Sequence, residues 1–197
     1  MSSERFINHA PFSRLRWNVF GNFDEILVEE REGKNVVALL PFKDHPITTE
    51  PATLSGLCSL EINIEELEVR QGNDELDVED GKYLAPAPLR LKKDEGQPIT
   101  VEDIVGSLHM YLNTHKNDIV EYFNEMAGDD AMVEAVDGAG NSFPKFDIQN
   151  RTMVFKSLVG EDMVGEDVYS VAVSLFWDGE FGTSLEEFWK TRPHLPR

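Results

Sequence analysis

Apolar and polar residues fall into three regimes along this chain: a strand-like first third, a helical middle and a strand-like return. Leu15, Trp17 and Val19 alternate with Arg14, Arg16 and Asn18, the period-two spacing of a half-buried strand, and the run stops at Gly21-Asn22. Ile26, Leu27 and Val28 lead through glutamates to a turn at Glu32-Gly33-Lys34, and Val36 to Leu40 follow as an apolar run ending at Pro41. This spacing predicts a hairpin around Gly33. A Pro- and Thr-rich loop is expected from Lys43 to Ser55. Leu60, Ile62 and Ile64 then alternate with Glu61, Asn63 and Glu65, the cleanest amphipathic strand in the chain. Leu67 and Val69 continue it, with a bulge or break where the phase slips at Glu65-Glu66.

Residues 70–82 carry few apolar groups and read as an exposed acidic loop containing Asp74, Glu75, Asp77, Glu79 and Asp80. Pro86 and Pro88 keep the next segment extended and place the strand at Leu89 and Leu91 on a sheet edge. Thr100 stands three residues before Asp103, a capping box opening a helix whose apolar face is Val101, Ile104, Val105, Leu108, Tyr111 and Leu112. A break at Thr114 to Lys116 separates it from a second helix near 117–126, which Gly128 suits as a C-cap. The loop at about 127–147 has no clear period. Strand character returns at 152–159 and at Val168 to Trp177, where Asp178-Gly179 forms a hairpin-type turn. Ser184 with Glu187 caps a short last helix that Pro193 ends. Strands, helices, then strands predict one α+β domain over 1–197, a mostly antiparallel sheet with two or three helices packed on it.

The formal net charge of −19 is the main departure from ordinary globular composition. It disfavours nucleic acid and anionic membranes and favours a basic or cationic partner. The one cysteine, Cys58, excludes an intrachain disulfide and a cysteine zinc site, and its alternation with Leu57 and Ser59 predicts a small core thiol. The N-terminal stretch has charges where a signal peptide needs an apolar run, and no segment is long and apolar enough to span a bilayer. A soluble, cytoplasmic or otherwise intracellular protein is expected, so the Asn150-Arg151-Thr152 sequon carries no weight.

Motifs that carry chemistry are missing. Setting Gly81 at the glycine of a calcium loop puts Leu76 and Val78 at ligand positions, and Ala139 spoils the run Asp137 to Asn141 in the same way. His109 and His115 are six residues apart, about 240° around a helix, so they cannot share a metal ion from one helix. His109 borders the apolar helix face beside Leu108 and reads as a boundary residue. No GxSxG, Walker A or GxGxxG pattern is present, and the basic residues are dispersed. Trp17, Trp177 and Trp189 read as core rather than as a binding platform. No metal site, cofactor or catalytic residue is assigned.

Three pieces resemble a fungal family of domains of unknown function. Trp17-Asn18-Val19 is similar to its first strand. The run from Glu50-Pro51-Ala52-Thr53 to Leu60-Glu61-Ile62 is similar to its EPATxPPLPSLxI segment. Pro88 to Leu112, centred on Ile99-Thr100-Val101-Glu102-Asp103-Ile104-Val105, is similar to a segment ending VTVxDVLxAIYxxL. The Pro pair of the second piece is replaced by Ser55-Gly56, and Glu65 to Tyr83 looks like an insertion. The resemblance implies a fungal, intracellular protein and carries no site onto these positions.

The functional expectation is therefore a non-enzymatic interaction domain whose acidic loop, Asp74, Glu75, Asp77, Glu79 and Asp80, meets a basic protein. One alternative is a small-molecule-binding protein or enzyme with a pocket between sheet and helices, using His109 and nearby carboxylates. A second is a homodimer or other homo-oligomer built on exposed strand edges or the Trp-rich C-terminal region.

Overall fold

A computed structural model describes residues 6–33, 35–53, 57–74, 83–127, 135–136, 142–143, 151–164 and 168–192. In chain order its elements are α1 (His9–Phe12), β1 (Leu15–Arg16), β2 (Leu27–Glu32), β3 (Asn35–Pro41), β4 (Ser59–Ile64), α2 (Glu65–Asp74) and β5 (Leu89–Lys92). There follow α3 (Val101–Thr114), α4 (Lys116–Ala127), β6 (Ala135–Val136), β7 (Ser142–Phe143), β8 (Met153–Met163), β9 (Tyr169–Trp177) and α5 (Leu185–Thr191). The architecture is α+β, as the alternation of periods predicts.

One sheet has the order β1-β2-β3 and is antiparallel; a second has the order β5-β4-β9-β8, and β6 pairs with β7. Among the described residues only β4 and β9 run parallel, Ile62 opposite Val171 and Ile64 opposite Val173. The two larger sheets are stitched where the chain leaves β1. Val19 N–H donates to the Met153 carbonyl and Phe155 N–H to the Trp17 carbonyl, both at 3.0 Å. The core lies along this seam: Leu15, Trp17, Val28, Leu60, Ile62, Phe155 and Val173 meet Ile104, Val105 and Leu108 of α3. Trp17 stacks on Phe155 with centroids 5.4 Å apart, so the burial expected of this tryptophan holds.

The helix start at Thr100 is as the spacing predicts. Thr100 Oγ1 accepts from Asp103 N–H at 3.3 Å, and Asp103 Oδ2 accepts from Thr100 N–H at 2.9 Å. Burial opposes ionisation of Asp103, but Lys93 and Thr100 outweigh it and hold the carboxyl below the usual range. Thr100→Ala should cost about 1 kcal/mol, and Thr100→Ser should restore it. Equal urea midpoints for Thr100→Ala and the parent would show that the cap contributes nothing. The backbone around this cap also bonds to the loop before β4: Ala52 N–H donates to the Ile99 carbonyl at 2.9 Å and Val101 N–H to the Glu50 carbonyl at 3.0 Å. The second and third family-like pieces are thus hydrogen-bonded neighbours.

Four expectations are corrected. The strand does not run on through Leu67 and Val69; it stops at Ile64, and Glu65 begins α2. Glutamates in a first helical turn face the positive end of the helix dipole, which favours the switch. Residues 70–74, expected in the acidic loop, complete that helix. Cys58 lies half-buried just ahead of β4 rather than in the core. The turn at Asp178-Gly179 exists, with Gly179 at φ 94°, but it leads to α5; the antiparallel hairpin partner of β9 is β8, which precedes it. The hairpin at Gly33, the helix break at His115 and the Ser184–Glu187 cap form as expected.

Candidate interaction surface

Most titratable groups held inside the fold have structural partners. Glu29 is buried between Arg16 Nε at 2.7 Å and Arg31 Nε at 2.8 Å. Burial raises its carboxyl, but the two arginines prevail and hold it below the usual range. Glu30 accepts from Arg14 and, at 2.7 Å, from His45 Nε2. His45 Nδ1 accepts from Ile47 N–H, which leaves Nε2 as the protonated nitrogen facing Glu30. Glu161 on β8 takes His9 Nε2 at 2.5 Å and the N–H groups of Phe6 and Ile7 at 2.7 and 3.1 Å, tying the N-terminal segment down.

His109, the polar group of the pocket alternative, sits in an aromatic cluster. Its ring lies 6.2 Å from Trp17 and 5.6 Å from Phe23, and burial pushes its pKa below the ordinary imidazole value. Among the described residues, no three His, Cys, Asp or Glu side chains come close enough to hold a metal ion, and no helix is long and apolar enough to cross a membrane. His194 lies outside the described residues.

Carboxylates with a different environment gather where α2 packs on α4. Arg70 of α2 is sheltered and donates to Glu121 Oε2 at 3.1 Å and Glu125 Oε1 at 2.5 Å, while both glutamates remain well exposed. Glu65 and Glu68 share α2, where burial and then the Glu65 charge raise the Glu68 carboxyl. Asp118 lies on the first turn of α4. Asp74 ends α2, and the chain returns to the same place: Tyr83 lies over the Arg70 guanidinium at 4.2 Å, and Ala85 N–H donates to Gln71 Oε1 at 2.9 Å. Tyr83 and Ala85 are thus held against α2 through Arg70 and Gln71.

Of the residues expected to meet a partner, Asp74 is placed at the end of α2, and Glu75, Asp77, Glu79 and Asp80 lie outside the described residues. Sequence reasoning missed Glu121 and Glu125, which form the rest of this face. Their i,i+4 spacing on the polar side of α4 was the available signal. Glu66, on the same helix, turns inward. Its Oε1 accepts from Leu175 N–H at 2.7 Å, just beyond the last β4–β9 pair, so the side chain continues a ladder that β4 leaves off. Comparison with protein-family models, curated proteins and solved structures gave no match to this chain.

Proposed function

We propose that this chain is an interaction domain that receives a basic segment of a partner protein on the acidic α2–α4 face. What supports this reading is that the acidic run 75–80 lies in sequence between Asp74, which ends α2, and Tyr83, which lies over Arg70, and that Arg70 is flanked by the exposed carboxylates of Glu121 and Glu125. Arg70 is occupied by two of these carboxylates and by Tyr83, and Lys116 is the basic residue of α4. A net charge of −19 adds long-range attraction for a cationic segment. The inward-facing acids described above are tied up in holding the fold, which leaves them little part in chemistry. The family resemblance is in keeping with this reading, since the pieces that carry it are turns, a strand and a capped helix.

A lysine-rich decapeptide followed by fluorescence anisotropy tests the reading. Neutralising Asp74, Glu75, Asp77, Glu79 and Asp80 to their amides should weaken binding about tenfold and flatten its salt dependence, because fewer ion contacts are made. Equal affinity in the parent and the amide variant would remove this segment from the interface. Partners captured from native extract should be lost by the same variant.

A further inference from the structure

The apolar run Val36 to Leu40 forms the middle of β3, and that strand is exposed along nearly its whole length. Val36, Val37, Leu39 and Leu40 keep 38, 54, 40 and 41% of their surface. Leu39 lies opposite Glu29 and Leu40 opposite Val28, so large apolar groups stand on both faces of the strand. Among the described residues β3 pairs with β2 alone. Phe42 N–H donates to the Ile26 carbonyl at 2.9 Å, in register with the pairs Val28–Leu40 and Glu30–Ala38. By antiparallel alternation, the backbone groups of Leu39 and Pro41 then point away from β2. Pro41 has no N–H to leave unpaired there, which suits an edge. Leu39 has both its N–H and its C=O on that edge.

The opposite edge of the linked sheets shows what a guarded strand looks like. β5 carries Arg90 and Lys92 and is preceded by Pro86 and Pro88, features that discourage further pairing. β3 has none of them before Pro41: no charged residue occurs from Asn35 to Phe42. The charges behind it are paired, Glu29 with Arg16 and Arg31, and Glu30 with Arg14. In a chain of net charge −19 this is a neutral strip. A basic segment would gain no charge pairing here and would bury its cations against valine and leucine. The surface that matches a neutral strand, apolar on both faces and offering one free ladder, is the same strand of another copy.

We infer that two copies of this protein associate through β3, the strands running antiparallel about a two-fold axis and extending the β1-β2-β3 sheet across the interface. The pairing stops at Pro41, which cannot donate. Because the remaining charges of the two copies repel, and screening reaches about 8 Å at physiological salt, association should strengthen with ionic strength. Binding of a basic partner on the α2–α4 face should weaken, so the two readings stand or fall separately.

Sedimentation velocity of the full chain, over a wide concentration range at 50 and 500 mM sodium chloride (concentrations chosen to span about 14 and 4 Å of screening length), tests the inference. The parent should shift from 22.3 kDa to twice that mass as concentration rises, at lower concentration in high salt. Val37→Glu and Leu39→Lys put opposite charges on the strip. Both should raise the dissociation constant at least tenfold while leaving the circular dichroism spectrum and melting temperature of the monomer close to the parent's. Hydrogen exchange at the Leu39 amide should slow with concentration in the parent alone. A parent that stays monomeric throughout overturns the inference, even if a foreign apolar strand binds there. Variants that dimerise like the parent overturn it equally, since they move the interface elsewhere.

Discussion

Replacing Arg192 by Met should lower the free energy of unfolding at pH 7 by about 3–4 kcal/mol, the largest single effect expected in this chain. Arg192 is buried at the end of α5, and its guanidinium donates to the carbonyls of Leu15, Phe12 and Lys156 at 2.6, 3.2 and 2.7 Å. These belong to β1, α1 and β8, so one side chain joins the C-terminal helix to the seam between the sheets. The Lys156 carbonyl is available because a register shift between Phe155 and Ser157 leaves Lys156 unpaired on β9. Two effects oppose each other. Burial pulls the guanidinium down to about 10, which costs its charged form about 3 kcal/mol. Each hydrogen bond from a charged donor contributes about 1.5–3 kcal/mol, so the trio outweighs the burial cost. Methionine fills the space over Phe155, Phe188 and Trp189 but strands the carbonyls. Urea unfolding measures the loss; a change under about 1 kcal/mol would mean that the carbonyls find other donors. Arg192→Lys should fall between, because an ammonium lacks the planar fork.

Glu66 gives the second large effect, and its sign depends on pH. Burial raises this carboxyl to about 7, against the lowering effect of the Leu175 N–H bond, and its Oε2 has no hydrogen-bond partner among the described residues. In the unfolded chain the group titrates near its ordinary value of 4.5. Between these values the folded state holds a proton that the unfolded state has released, so stability falls as pH rises from about 4.5 through about 7. The accumulated loss is about 3 kcal/mol. Glu66→Gln keeps an acceptor for Leu175 N–H and cannot ionise. Its stability relative to the parent should therefore improve by about 3 kcal/mol between pH 4.5 and pH 8, with other groups cancelling in the difference. Parallel stability curves for the two proteins across that range would contradict the assignment.

These two residues also mark where the sequence stops being readable. The Thr100 cap, the Gly33 hairpin, the alternation of β4 and the core role of Trp17 all rest on neighbours a few residues apart, and all were legible. Leu67 and Val69 fit a strand and a helix equally well. Beside the first-turn glutamates, what distinguishes the two is Glu66 meeting Leu175, a contact between distant parts of the chain that no local period encodes. Arg192 likewise looks like one more basic residue before Pro193 until the fold brings the carbonyls to it. The apolar content of β3 was plain, but its exposure depends on which strand lies at the edge. For the candidate site, the acidity of 74–80 was legible, whereas the arrival of Glu121 and Glu125 from α4 needed the packing of two helices. Among the described residues, His9, His45, His109 and His115 carry ion pairs, a cap and ring contacts, several with partners that only the fold brings near.

A basic segment docked on the α2–α4 face should be visible in amide chemical-shift mapping of the full chain with the lysine-rich decapeptide. Shifts are expected to concentrate at 65–74, at 83–85 and at 116–127, fading as salt is added. Shifts spread evenly over the acidic surface, or centred on β2 and β3, would contradict that docking.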